Sequence, residues 1–310
     1  MFALLFPGQG SQSVGMLAAL AASRPEVKAT FDEASERLAL DLWQLCQQGP
    51  ESDLNRTEHT QPAMLAAGVA SWRVWRALGG PIPDRLAGHS LGEYTALVAA
   101  GSLAFADAIG LVAERGRLMQ SAVPGDSGAM AAVLGMEDEA LEQICADQAQ
   151  SEVVSCANYN APGQVVIAGH RTAVERVCEA AKAAGARRAL PLAVSVPSHC
   201  ALMEPAAEQL ASSLAATAIT KPVVPVLHNV DVACHDAPDA IRQVLAQQLY
   251  QPVRWTRTVQ TLASSGVRAF AECGPGKVLA GLNRRIDRKL PCTALLNENA
   301  MVQMIGELDS

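Results

Sequence analysis

The sequence predicts an α/β protein: a large domain on a mostly parallel sheet that carries a nucleophile elbow, with a small βαββαβ subdomain inserted into it. Three observations carry this reading. Short apolar runs alternate with helical patterns along most of the chain. Residues 85–101, RLAGHSLGEYTALVAAG, set Ser90 between Gly88 and Gly92, the G-x-S-x-G spacing of a serine held on a tight strand-to-helix turn. Residues 126–194 change rhythm to β-α-β-β-α-β, the ferredoxin-like order, after which helix–strand alternation resumes.

Taken in order, FALLF (2–6) reads as a short buried strand broken by Pro7-Gly8. PGQGSQ is a tight loop ahead of a helical run over 14–22. A second helix follows Pro62, in AMLAAGVASWRVWRAL, with the proline suited to its first turn. Gly79-Gly80-Pro81 ends it, and RLAGHS supplies the next strand and the elbow. In the insert, GAMAAVLGM is a strand, EDEALEQICADQ a helix, and EVVSCANYNAPGQVVIAG two strands around Asn160-Ala161-Pro162-Gly163. TAVERVCEAAKAAG is its second helix and RRALPLAV its last strand. Then come a helix (ALMEPAAEQLASSL), a strand (VVPVLHN), a helix (AIRQVLAQQLY), a strand (RAFAEC) and a helix (KVLAGLNRRI). The expected division is a large domain of 1–125 and 195–310 and a ferredoxin-like subdomain of 126–194.

Composition narrows the function. The chain has 310 residues, half of them hydrophobic, and a formal net charge of −7, which argues against a general nucleic-acid binder. No apolar run reaches the roughly 18 residues of a membrane span, and MFALLFPGQG lacks the basic flank and length of a secretory signal. The eight cysteines are scattered, without C-x-x-C pairs or zinc spacing, and read as free thiols in a reducing cytoplasm. No metal site is expected.

A serine nucleophile needs a base. Of the six histidines, His89 adjoins the serine, but neighbouring side chains diverge on an elbow. His199, in VSVPSHCALMEP, lies where the chain leaves the insert, and a cleft between domains favours a site. Its place favours catalysis, although spacing alone does not separate it from a structural histidine.

PGQGSQ, GHSLGEY, ERGRLMQ (114–120), NAPGQVVIAG, VPSHCALM and LYQPVRW, in this order across essentially the whole chain, resemble the malonyl-CoA:acyl carrier protein transacylases of the bacterial stand-alone type. The resemblance implies a hydrolase-like large domain with a ferredoxin-like insert. It implies an acyltransferase of fatty acid biosynthesis that moves a malonyl group from malonyl-CoA to the phosphopantetheine thiol of an acidic acyl carrier protein. The mechanism would be ping-pong through a malonyl-serine ester, with no cofactor beyond the CoA thioester. By similarity Ser90 is the nucleophile, His199 the base, and Gln248 supplies a main-chain carbonyl as third member. Gln9 and Leu91 match the oxyanion-hole positions through their N–H groups, and Arg115 matches the residue that binds the malonyl carboxylate. Arg117, two residues on, should face elsewhere on the helix. Where multidomain synthases selective for malonyl often carry His-Ala-Phe-His, this chain has Val196-Pro197-Ser198-His199, which leaves tolerance for a methyl branch open.

Two other readings share features. A malonyl transferase serving another carrier, of the malonate decarboxylase type, would keep every catalytic residue. A serine hydrolase or thioesterase would place its histidine late, whereas 111 residues follow His199. A cytoplasmic monomer is expected. An acidic partner on an acidic chain calls for a local basic face, for which Arg187-Arg188 and the group Lys277, Arg284, Arg285, Arg288 and Lys289 are candidates.

Overall fold

The computed structural model describes residues 1–194 and 196–309; the domain limits expected at 195 and 310 lie outside the described residues. Nine strands occur among them: β1 (Phe2–Phe6), β2 (Arg85–Gly88), β3 (Gly128–Leu134), β4 (Val154–Ala161), β5 (Gln164–His170), β6 (Arg188–Pro191), β7 (Val226–Leu227), β8 (Ala269–Glu272) and β9 (Cys292–Ala294). The first sheet has the order β7-β2-β1-β8-β9, and every pairing in it is parallel. Its central strand β1 is apolar throughout because both faces are covered. Phe2, Leu4 and Phe6 join the main core, which is formed largely with the helices Thr57–Ala77 and Phe105–Ser121. Ala3 and Leu5 join a second core with Trp255, Val259 and Phe270 on the other side. This two-sided burial is what makes parallel strands read as unbroken hydrophobic runs.

The chain leaves β2 at Gly88 and enters the helix Gly92–Ala99, so the elbow stands at the carboxyl end of the parallel strands, as in hydrolase-like α/β folds. The second sheet is antiparallel, in the order β4-β5-β3-β6. The helices Asp138–Ala149 and Arg171–Ala183 pack on it around Val133, Ile167 and Val177. This is the ferredoxin-like arrangement. Tyr159 and Val253 tie it to the large sheet's side of the molecule: Tyr159 N–H donates to Val253 O, and Val253 N–H to Ala157 O, both at 2.9 Å.

Several elements differ from the sequence expectation. The helix expected over 14–22 is confined to Ala18–Ala21, because Gly15 (φ 85°) and Leu17 (φ 61°) are left-handed and interrupt it. The helix expected after Pro62 starts at Thr57. Its first turn is held by Thr60, whose Oγ1 donates to Leu54 O at 2.5 Å, so Pro62 lies inside it. VVPVLHN contributes only the two residues of β7. The helices Pro25–Leu38 and Trp255–Ser264 and the edge strand β9 add to the expected order. All eight cysteines are free, and Cys234 alone is exposed.

Candidate active site

The elbow is possible only with glycine on either side of Ser90. A Cβ on Gly88 would sit 1.9 Å from the carbonyl carbon of Gly92, and one on Gly92 would sit 2.1 Å from Phe6 O. Ser90 itself is left-handed, at φ 50°, a strained conformation for a residue with a side chain. Asn229 holds it there: its Oδ1 accepts the Ser90 N–H at 2.7 Å, and its Nδ2 donates to Gly88 O at 2.7 Å.

His199 reaches Ser90 from the far side of the insert, with Nε2 2.8 Å from Oγ. Its Nδ1 is 2.7 Å from the main-chain carbonyl of Gln248, and its own N–H donates to Leu249 O at 2.8 Å. A carbonyl only accepts, so Nδ1 carries the proton and Nε2 offers its lone pair to the serine hydroxyl. Burial, reinforced by the positive charge of Arg115, pushes the His199 pKa down to about 3, which keeps the imidazole unprotonated, with its Nε2 lone pair open to the serine proton.

Arg115 is fully buried on the helix Phe105–Ser121. Its Nη1 donates to Gln61 Oε1 at 2.7 Å, and its Nη2 donates to Gln248 Oε1 at 3.0 Å and lies 3.4 Å from Ser90 Oγ. The guanidinium also lies 5.6 Å from the ring centroid of Tyr94. Arg117 points outward and pairs with Glu114. Gly116 lets this helix approach the Thr57–Ala77 helix, since a Cβ there would meet Thr57 O and the Glu58 backbone at 2.8 Å.

Ser90, His199 and Arg115 line one cavity of about 420 Å³ with Gln9, Leu91, Met119, Met130 and Asn158. The main-chain N–H groups of Gln9 and Leu91 make no hydrogen bond among the described residues, so both are free to bind an oxygen there. His89 lines the same cavity, but its Nε2 is spent on Asn160 Oδ1 at 2.8 Å and its ring lies against Trp255. Burial lowers its pKa despite that hydrogen bond. Ser90 and Leu91, His199, the Gln248 carbonyl, Arg115 and Gln9 are therefore brought together from five separate segments.

Sequence reasoning missed Gln61, Glu93, His228 and Asn229. One signal was available. Glu93 is the only Asp, Glu, Lys or Arg between Arg85 and Asp107, and a lone charge in so apolar a run calls for a buried partner.

A hydrolase-like α/β fold with a serine elbow and a histidine oriented by a carbonyl defines a protein of the class that exchanges acyl groups through a serine ester. Residues 3–296 match the family model described as the acyl transferase domain, and the chain belongs to that family. The malonyl CoA-acyl carrier protein transacylase of Escherichia coli is 57% identical over 300 residues, 97% of each chain. That of Bacillus subtilis is 46% identical over 295 residues, 94% of this chain and 92% of its own. The solved transacylase of Coxiella burnetii superposes with a TM-score of 0.99 at 49% identity, covering 100% of this chain and 98% of that one. A malonyl-transacylase solved in complex with a type II PKS acyl-carrier protein gives 0.98 at 54% identity, with 99% of each chain covered.

Proposed function

We propose that this chain is a malonyl-CoA:acyl carrier protein transacylase in which Ser90 is the nucleophile, His199 the base and Arg115 the malonyl carboxylate's partner. The observation that carries the choice of substrate is the buried Arg115 guanidinium, which comes within 3.4 Å of Ser90 Oγ. A planar guanidinium suits a carboxylate one methylene beyond the reacting carbonyl.

The reaction balances on this chain's own groups. Ser90 Oγ attacks the thioester carbonyl while His199 Nε2 takes its proton, and the Gln9 and Leu91 N–H groups receive the tetrahedral oxygen. The C–S bond breaks, CoA leaves as a thiol with the proton from His199, and malonyl stays on Ser90. The carrier's phosphopantetheine thiol then gives its proton to His199, attacks the ester, and Ser90 recovers its proton. Thioester, ester, thioester exchange involves no net oxidation or reduction, so this reading calls for no cofactor besides the CoA substrate. All catalytic groups come from one chain, which fits action as a monomer. No helix among the described residues is long and apolar enough to cross a membrane, which fits a cytoplasmic enzyme. The domain division belongs to the same reading. The antiparallel sheet lies wholly within 128–191 and has its own core, which supports a subdomain of 126–194 and a catalytic remainder.

Intact-mass measurement after brief mixing tests this. Malonyl-CoA is expected to leave a malonyl adduct that Ser90→Ala abolishes and that added carrier protein discharges. Arg115→Ala is expected to slow malonyl loading by at least about 10-fold, the worth of one charge-assisted hydrogen bond. Steady hydrolysis without an adduct would favour a thioesterase instead.

A further inference from the structure

Gln248 acts at the site twice. Its main-chain carbonyl serves His199, while its side-chain amide spans two charges. Oε1 accepts from Arg115 Nη2 at 3.0 Å, and Nε2 donates to Glu93 Oε2 at 2.8 Å and to Ser90 O at 3.1 Å. A guanidinium only donates and a carboxylate only accepts, so a single orientation of the amide satisfies both. Glu93 is completely buried in the first turn of the elbow helix. It also receives His228 Nδ1 at 2.7 Å and the Asn229 N–H at 2.9 Å, and Asn229 in turn holds Ser90.

No carboxylate among the described residues forms an ion pair with Arg115; its hydrogen-bond partners are the neutral oxygens of Gln61, Gln248 and Ser90. A buried guanidinium without a counter-charge is costly, yet a carboxylate in direct contact would occupy the fork that a substrate carboxylate must use. An amide interposed between the two meets both requirements. We propose that Glu93 is a positioning residue for carboxylate recognition: through the Gln248 side chain it aims Arg115 and offsets its charge while leaving the guanidinium free for an acyl group that ends in a carboxylate. The field of Glu93 favours the charged form of Arg115, against the burial that disfavours it. This rests on the reading that Arg115 binds the malonyl carboxylate.

The test is the ratio of malonyl to acetyl loading, measured as kcat/KM with malonyl-CoA and acetyl-CoA for wild type, Arg115→Ala, Glu93→Gln and Gln248→Met. Acetyl carries no carboxylate, so damage to the elbow or to His199 slows both acyl groups and leaves the ratio in place. Glu93→Gln and Gln248→Met are each expected to lower the ratio by about 10-fold, chiefly through KM for malonyl-CoA. If Arg115→Ala lowers the ratio and these two do not, whether or not they slow both reactions, the relay is overturned. If Arg115→Ala itself leaves the ratio unchanged, the carboxylate reading beneath it fails. Should Glu93→Gln not fold, Gln248→Met still decides, since it retains the main-chain carbonyl that holds His199.

Discussion

Burial acts on His199 and Arg115 alike, lowering the pKa of both cations, but the site uses the two results differently. Arg115 begins so high that it stays charged, whereas His199 is pushed down to about 3 and stays neutral wherever the enzyme works. An unfolded histidine titrates near 6.5, so between about pH 6.5 and 3 the unfolded chain binds a proton that the folded one refuses. Above that window His199 adds no pH dependence. Within it, stability falls as pH falls, with a slope of about 1.4 kcal/mol per pH unit from this group. Urea unfolding at pH 8 and pH 5 is expected to show His199→Gln losing less stability than wild type by about 1–2 kcal/mol. The kcat/KM for malonyl-CoA is expected to be flat from pH 7.5 to 5; an inflection near 6.5 would mean that His199 is solvated in solution. Ser90 was legible from its G-x-S-x-G spacing and His199 from its place where the chain leaves the insert, whereas Arg115 came only through the family resemblance, since an arginine on a helix otherwise reads as a surface residue. Gln61 and Asn229 were not, because an uncharged amide looks the same in sequence whether it faces water or holds an elbow 139 residues away.

The elbow as an element depends on three backbones lying closer than side chains permit. Gly92 packs against Phe6 O and Pro7 O, and Gly8 against His89 O, so β1, the PGQG loop and the elbow form one rigid unit. That unit sets the gap between the Gln9 and Leu91 N–H groups. Gly92→Ala must push the elbow away from the loop. It is expected to cost about 1–3 kcal/mol in urea unfolding, as overpacking does, and to lower kcat more than it raises KM, because a displaced oxyanion donor is felt in the transition state. Gly281 is the control: it lies on the exposed side of the helix Val278–Ile286, with nothing within 4 Å of an added Cβ. Gly281→Ala is expected to leave kcat in place and to raise stability by up to about 1 kcal/mol. A Gly92→Ala protein with wild-type kcat and stability would show that the loop and elbow move independently. The strands and the G-x-S-x-G turn were readable at this scale because periodicity and close approach are local. The shortened helix at Ala18–Ala21 and the helix running through Pro62 were not, since left-handed Leu17 and the Thr60 bond to Leu54 depend on neighbours outside each run.

At the scale of the whole molecule, net charge and local charge oppose each other. The formal charge is −7, which repels an acidic carrier protein at long range. Folding nevertheless gathers arginines that are nearly a hundred residues apart. Arg188, which opens the last strand of the insert, Arg187 just before it, and Arg285, from the helix Val278–Ile286, line a surface cavity of about 530 Å³ with Gln164. Arg285 donates to the Gln164 side chain, and exposed Arg284 stands beside it in the last turn of its helix. The sequence held both halves of this face, but only the packing of the insert against the helix Val278–Ile286 joins them, and no pattern within either segment encodes that contact. A carrier guided by this face must feel it through screened charges, with a Debye length of about 8 Å at physiological salt. Arg284→Glu combined with Arg285→Glu is therefore expected to raise the apparent KM for carrier protein by about 10-fold at low salt, a difference that shrinks as salt is added. The KM for malonyl-CoA and the rate of malonyl-Ser90 formation are expected to stay at wild-type values, because the first half-reaction does not involve the carrier. Equal increases in both KM values would assign the face to the phosphates of CoA, and no increase in either would place carrier docking elsewhere on the surface.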